Sequence, residues 1–164
     1  NRVEADELSY GLHILIRTEL EIALLEEGLS VDDLPFEWNK RYQDLLGVKP
    51  QNDAEGCLQD VHWSEGLFGY FPSYLLGHLI SAQLTEAMGL DLKESFPHNE
   101  DPVSECIRSG QELILLSWLR KKVHPYGRQM NAEELVKEVT GKPLSSSPFL
   151  NYLETKLEML SSYL

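Results

Sequence analysis

The sequence predicts an all-α protein, a bundle of several helices. Three observations support this. Apolar residues recur at intervals of three, four or seven along every long segment, the spacing of one helix face. Capping residues, first-turn prolines and terminal glycines punctuate these segments where helices would start and stop. No two-residue alternation, hairpin turn or repeat of 20 to 50 residues accompanies them. At 164 residues the expectation is one helical domain, 1–164, able to bury a sizeable core.

Over about 3–27, Leu8, Leu12, Leu15, Ile22 and Leu25 define a long amphipathic helix, and Gly28 supplies its stop. Arg2 and Asp6, four apart at its start, share a face and can pair. On spacing alone such a pair is a weak surface feature. Ser30-Val31-Asp32-Asp33 reads as a helix entry, followed by Pro35 and a short helix through Trp38, Tyr42 and Leu46 that Gly47 ends. Trp38 and Tyr42 are expected in the core, and residues 49–53 form a loop.

Next comes the stretch richest in reactive side chains. Gln59, Asp60, His62 and Trp63 fall within five residues, and Tyr70 precedes Pro72. A helix is expected from the Pro72 turn to about residue 88, with Tyr74, Leu75, Leu79, Ala82 and Leu84 near the helical period and Gly89 as its stop. Residues 96–101 are a connector. Asp101 and Pro102 then suit an N-cap and first helical position, for a helix to about residue 109. Gly110 separates it from a second helix ending near residue 122. Ile114, Leu115, Trp118 and Leu119 are that helix's apolar side, and Arg120, Lys121 and Lys122 complement the carbonyl end of its dipole. Asn131-Ala132-Glu133-Glu134 resembles a capping box opening a helix that Thr140-Gly141 ends. Ser145 to Pro148 open the last helix, with Phe149, Tyr152, Leu153, Leu157 and Leu160 on one side.

The formal net charge of −13 argues against nucleic-acid and anionic-membrane binding, which rely on excess lysine and arginine. Cys57 and Cys106 stand far apart without CxxC spacing, so neither a disulfide framework nor a structural zinc site is indicated, and a reducing cytoplasm is expected. No basic-then-apolar leader opens the chain, and Pro72 and His78 break its longest apolar stretch, so neither a signal peptide nor a membrane span is expected. The five histidines, His13, His62, His78, His98 and His124, include no HxxxH pair and none has a carboxylate at ligand spacing. No metal ligand is therefore expected in this chain, and His13 and His78 read as interior polar groups.

Gly56-Cys57-Leu58-Gln59-Asp60-Val61-His62-Trp63 reads as GxxQDxHW, which resembles a signature of the carboxypeptidase Taq family of zinc metallocarboxypeptidases. Arg2-Val3-Glu4-Ala5-Asp6 is similar to that family's (I/V)RxxAD motif, with Asn1 where the family has Ile or Val. His124-Pro125-Tyr126-Gly127-Arg128 and Thr140-Gly141-Lys142-Pro143-Leu144 resemble its C-terminal end, so the likeness runs along the whole chain. Members are roughly three times longer, beyond the size of one domain. They carry HExxH and a third glutamate ligand upstream of RxxAD, and this chain has no HExxH.

The resemblance therefore implies the C-terminal third of such an enzyme. That part would form one wall of a substrate groove and be inactive alone, with zinc or another divalent metal and the general base in a missing N-terminal catalytic part. The implied partners are peptides with a free C-terminus and that missing part. Dimers are common in the family, so a homodimer is a further expectation. His62 and Tyr70 become the catalytic candidates, because imidazole N–H and phenol O–H can converge on one carbonyl oxygen. Without the resemblance His62 is better read as a satisfied structural histidine and Tyr70 as a core or rim residue. Arg2 is the first candidate and Arg128 the second for the substrate carboxylate, since a guanidinium fork matches it. Asp6 would orient Arg2, or Asp60, counted with the substrate-binding residues, would hold His62; Gln59 would bond substrate backbone, and Trp63 would shield the site. Each of these could equally belong to an interior hydrogen-bond network. A non-catalytic helical module binding peptides or proteins, derived from the same family, is the alternative function.

Overall fold

The computed structural model of the chain describes residues 2–162, and Asn1, where the motif departs from its pattern, lies outside them. Seven α-helices and no strand occur among the described residues. They are α1 (Glu7–Leu25), α2 (Leu34–Leu46), α3 (Phe71–Leu92), α4 (Pro102–Arg108), α5 (Glu112–Lys122), α6 (Ala132–Thr140) and α7 (Ser147–Ser161). The chain divides into two compact units, 1–76 and 77–164, and the division falls inside α3.

In the first unit, α1 and α2 pack together around Ile16, Leu20, Leu34, Trp38 and Tyr42, with Cys57 and the half-buried Trp63 added by the loop after α2. Trp38 and Tyr42 fill this core as their spacing predicts, stacked with ring centroids 5.0 Å apart, and Trp63 meets Trp38 edge-on at 6.1 Å. The loop passes close beneath Trp38 at Gly56, where a Cβ would lie 3.3 Å from the Asn52 carbonyl oxygen, so a side chain there would crowd the turn.

Helix α1 begins later than the periodicity suggests. Asp6 is its N-cap, and its carboxylate accepts from the backbone N–H groups of Leu8 and Ser9, both at 2.9 Å, and from the Ser9 hydroxyl at 3.0 Å. Residues Arg2–Glu4 form a separate 3-10 turn. Asp6 is thus spent on the helix end, and it is Asp60 that pairs with Arg2.

The second unit is built on Met88, Leu92, Cys106 and Trp118, bordered by half-buried side chains such as Leu84, Val103, Leu115 and Val139. Cys57 and Cys106 are buried free thiols. Trp118 donates its indole N–H to Asp91 at 2.8 Å, and Lys122 reaches the same carboxylate at 3.2 Å. The capping box at Asn131 and Glu134 forms as its sequence predicts. At the start of α7 the cap differs: Ser146 makes no side-chain capping bond, and the Ser145 hydroxyl accepts from Ser147 N–H at 3.2 Å.

Gly89 does not end α3, which runs on to Leu92. A mid-helix glycine costs only about 1 kcal/mol relative to alanine. Met88 and Leu92, four residues apart, are both buried in the second core, and their burial outweighs that cost.

Candidate functional site

The candidate residues gather in the first unit, on four pieces of chain: the Arg2 turn, the inward face of α1, Tyr42 of α2, and the segment from Gln59 to Tyr74. Along α1, His13, Arg17 and Glu21 recur every four residues and are all buried. A polar stripe thus runs down a helix face that also buries Ile16 and Leu20.

Asp60 is the hub. Its Oδ1 accepts from Arg2 Nε at 3.2 Å and Nη2 at 2.8 Å, and its Oδ2 accepts from Arg17 Nε at 2.6 Å. Burial alone would raise its pKa, but the hydrogen bonds from Arg2 and the charge and hydrogen bond of Arg17 hold it below the ordinary 3.8. Arg17 has no exposed surface. It donates from Nη1 to the His13 carbonyl at 2.7 Å and to the Tyr42 hydroxyl at 2.9 Å, and its guanidinium lies 4.7 Å from the Trp38 ring centroid.

Proton positions follow from this. Arg17 can only donate, so the Tyr42 oxygen accepts from it and turns its own proton toward His13 Nδ1, 3.0 Å away. Burial and the neighbouring Arg17 charge lower the His13 pKa to about 4, so the ring is neutral with its proton on Nε2. Burial also raises the Tyr42 pKa, which keeps that phenol protonated.

Gln59 is committed to the fold. Its Oε1 accepts from Arg2 N–H at 3.1 Å, and its Nε2 donates to the carbonyls of Glu55 and Gly56. Glu21 holds the next loop, accepting from Trp63 Nε1 at 2.7 Å and from Gly69 N–H at 3.1 Å. Those two bonds pin both ends of the segment that delivers Tyr70.

His62 and Tyr70 come together, with ring centroids 5.7 Å apart. The His62 side chain is 12% exposed, whereas Tyr70 is 46% exposed. Phe71, 4.5 Å away centroid to centroid, packs on the imidazole, and Tyr70 meets Tyr74 edge-on at 5.4 Å. The atom that bonds the imidazole is the Tyr74 hydroxyl, 3.1 Å from His62 Nε2. His62 Nδ1 lies 3.8 Å from Asp60 Oδ1, outside hydrogen-bond reach, and is buried without a partner among the described residues. Arg2 lies over Tyr74, 5.0 Å from its ring centroid.

Of the sequence candidates, Arg2, Gln59, Asp60, His62 and Tyr70 therefore share one neighbourhood, with Trp63 packed beside them. Arg128 is an exposed residue of the second unit, just beyond a 3-10 turn at His124–Tyr126. Sequence reasoning missed Arg17, Glu21, Tyr42 and Tyr74 as polar partners. The four-residue recurrence of His13, Arg17 and Glu21 among the apolar residues of an amphipathic helix was the available signal.

No group of three or more His, Cys, Asp or Glu side chains among the described residues could hold a metal ion, so the residues present do not fit a metal site. The cluster can instead present hydrogen-bond donors, from imidazole and phenol groups supported by a buried ion network.

Comparison with known proteins places this helical scaffold among metallopeptidases. The sequence model of the family described as carboxypeptidase Taq (M32) metallopeptidase matches residues 1–157, and the chain belongs to that family. It is 45% identical over 159 residues to carboxypeptidase 1 of Bacillus subtilis (strain 168), covering 97% of this chain and 30% of the relative. Thermostable carboxypeptidase 1 of Thermus thermophilus is 44% identical over the same shares. The solved structure of Trypanosoma cruzi metallocarboxypeptidase 1 matches with a TM-score of 0.85 and 37% identity, over 94% of this chain and 31% of that one. The chain spans about 30% of the length of the curated relatives it matches.

Proposed function

We propose that this chain is the C-terminal region of a zinc metallocarboxypeptidase that removes C-terminal amino acids from peptides. It forms one wall of the substrate groove and is inert when the rest of the enzyme is absent. The observation that supports this reading most is the exposed Tyr70 beside His62 on the family-matched segment. The metal and general base belong to polypeptide that the relatives carry beyond the matched segment.

His62 and Tyr70 donate hydrogen bonds to the carbonyl oxygen of the scissile peptide as negative charge develops there. A peptide oxygen arriving at His62 Nε2 takes the place now held by the Tyr74 hydroxyl, which stays alongside as a further donor. The Asp60 network keeps the wall rigid, so these donors need little reorganisation during the reaction. For the substrate carboxylate Arg2 stays the first assignment, since it shares the first unit with His62 and Tyr70, and Arg128 stays the second.

The test has two parts. The isolated chain is assayed for zinc content and for hydrolysis of a blocked dipeptide, and stoichiometric zinc with turnover would refute its inertness. The chain is then placed in Bacillus subtilis carboxypeptidase 1 in exchange for the matching 159 residues. In that hybrid, Tyr70→Phe should lower kcat with little change in KM, and an unchanged kcat removes Tyr70 from the reaction. Arg2→Ala should weaken substrates with a free C-terminus far more than amidated ones, and equal weakening removes that assignment.

A further inference from the structure

Of the acidic side chains on α1, Glu7, Glu19 and Glu21, only Glu21 is buried, at 4% exposure. A carboxylate in such a place is costly unless its oxygens are used. Both are used, and by one loop: Oε1 accepts from Trp63 Nε1 at 2.7 Å and Oε2 from Gly69 N–H at 3.1 Å. Between these anchors the loop folds back on itself, with Leu67 N–H donating to the His62 carbonyl at 2.8 Å and Gly66 N–H to the Trp63 carbonyl at 3.0 Å. Gly69 has a φ of +73°, a left-handed backbone that glycine adopts without strain. Trp63 follows His62 and Gly69 precedes Tyr70, so each bond fixes the direct neighbour of one donor.

We propose that Glu21 is a positioning residue for the reaction: by holding Trp63 and Gly69 with one carboxylate, it sets how His62 and Tyr70 stand relative to each other. This rests on the reading of those two side chains given above. Two donors on one carbonyl oxygen must be placed together, and a misplacement of about 1 Å can cost about 100-fold in rate. Residues 63–69 form a loop, and a loop alone does not hold such a separation. Glu21 ties it to α1, whose neighbouring Leu20 and Ala23 are buried. The chemistry of the clamp requires a carboxylate. A carboxamide of the same shape has one acceptor oxygen and would turn its NH2 group on the second N–H.

Glu21→Gln is therefore the test, read in two ways. In the isolated chain, hydrogen exchange of the Trp63 indole N–H and the Gly69 amide is followed by NMR. At least one should exchange about 10-fold faster, as expected where exchange waits on local opening. The Trp118 indole, bonded to Asp91, should keep its rate. No change at Trp63 and Gly69, or the same acceleration at Trp118, would overturn the clamp. In the hybrid with Bacillus subtilis carboxypeptidase 1, Glu21→Gln should lower kcat about 10-fold and leave KM within about 2-fold. On a Tyr70→Phe background the loss should shrink, because one of the donors that Glu21 positions is gone. An unchanged kcat, or the same factor on both backgrounds, would reduce Glu21 to a structural group and overturn the proposal. Where Glu21→Gln does not fold, Trp63→Phe removes one of the two bonds while keeping an aromatic ring, and the same kcat criteria decide. A Tyr70→Phe hybrid with full kcat removes the catalytic reading and the positioning role with it. An impaired Tyr70→Phe beside an unimpaired Glu21→Gln removes the positioning role alone.

Discussion

The two compact units treat buried polarity differently. In the first, Arg2, His13, Arg17 and Glu21 are buried, and Asp60 sits between the two guanidinium groups. In the second, Gln83 is the one buried polar side chain among the described residues, and the Pro143 carbonyl, the Ser145 N–H and the Thr140 hydroxyl satisfy its amide. A neutral amide with its bonds made costs little to bury, whereas ions lose much of their hydration and recover it only with good geometry. The second unit is thus organised for packing. The first accepts an expensive interior, and that interior surrounds the residues matching the family signature. Sites of chemistry are where such departures from the cheapest packing are expected.

If that contrast holds, the largest effect should come from removing the hub. Asp60→Ala leaves two buried or nearly buried guanidinium groups facing each other without their carboxylate. Removal of one partner from a buried ion network costs about 3–5 kcal/mol, so the urea midpoint of the chain should drop sharply. A change below about 1 kcal/mol, the range of surface pairs, would mean that water already screens the cluster.

Acid should act on the first unit next. The His13 pKa falls from 6.5 to about 4 on folding, so between those values the unfolded chain takes up a proton that the folded chain refuses. Stability therefore declines as pH drops from about 6.5 to about 4, by up to about 3 kcal/mol. Asp60, whose pKa is lowered by folding, adds a further loss as pH falls below 3.8, because its charged form is the one the fold stabilises. His13→Gln should flatten the slope between pH 6.5 and 4 and leave the more acidic loss in place. Urea titrations at several pH values measure both, and an unchanged slope in the variant would place the acid sensitivity elsewhere.

The helices were legible from local chemistry, because capping and periodicity act within a few residues. Asp101 with Pro102, the Asn131 box and the stacked Trp38 and Tyr42 follow from such short-range rules. The site was legible only as a set of names. Asp60 meets Arg17 across 43 positions of sequence and Arg2 across 58, and no local spacing encodes which of several carboxylates an arginine will choose. Asp6 was the nearer choice for Arg2, but the unpaired N–H groups at the start of α1 claimed it first. Likewise Tyr74 reads as one apolar contact among several along α3. That its hydroxyl bonds His62 depends on a loop whose path is set by Glu21, 42 residues before Trp63.

The smallest predicted effect lies in the second unit and concerns the glycine that fails to stop its helix. Gly89 lies inside α3 without a positive φ, and an added Cβ would sit 3.9 Å from Val103 Cγ2, an ordinary contact. Alanine there asks for no backbone change and reduces the freedom of the unfolded chain, so Gly89→Ala should stabilise by about 0.5–1 kcal/mol. In the first unit the comparable change at Gly56 should destabilise, because its Cβ would press on the Asn52 carbonyl. Opposite signs in the two thermal midpoints are what a relaxed packing unit and a tightly constrained site loop require. If both substitutions stabilised, the loop around Gly56 would have room to move, and its hold on the Gln59 to Trp63 segment would be looser than the network implies.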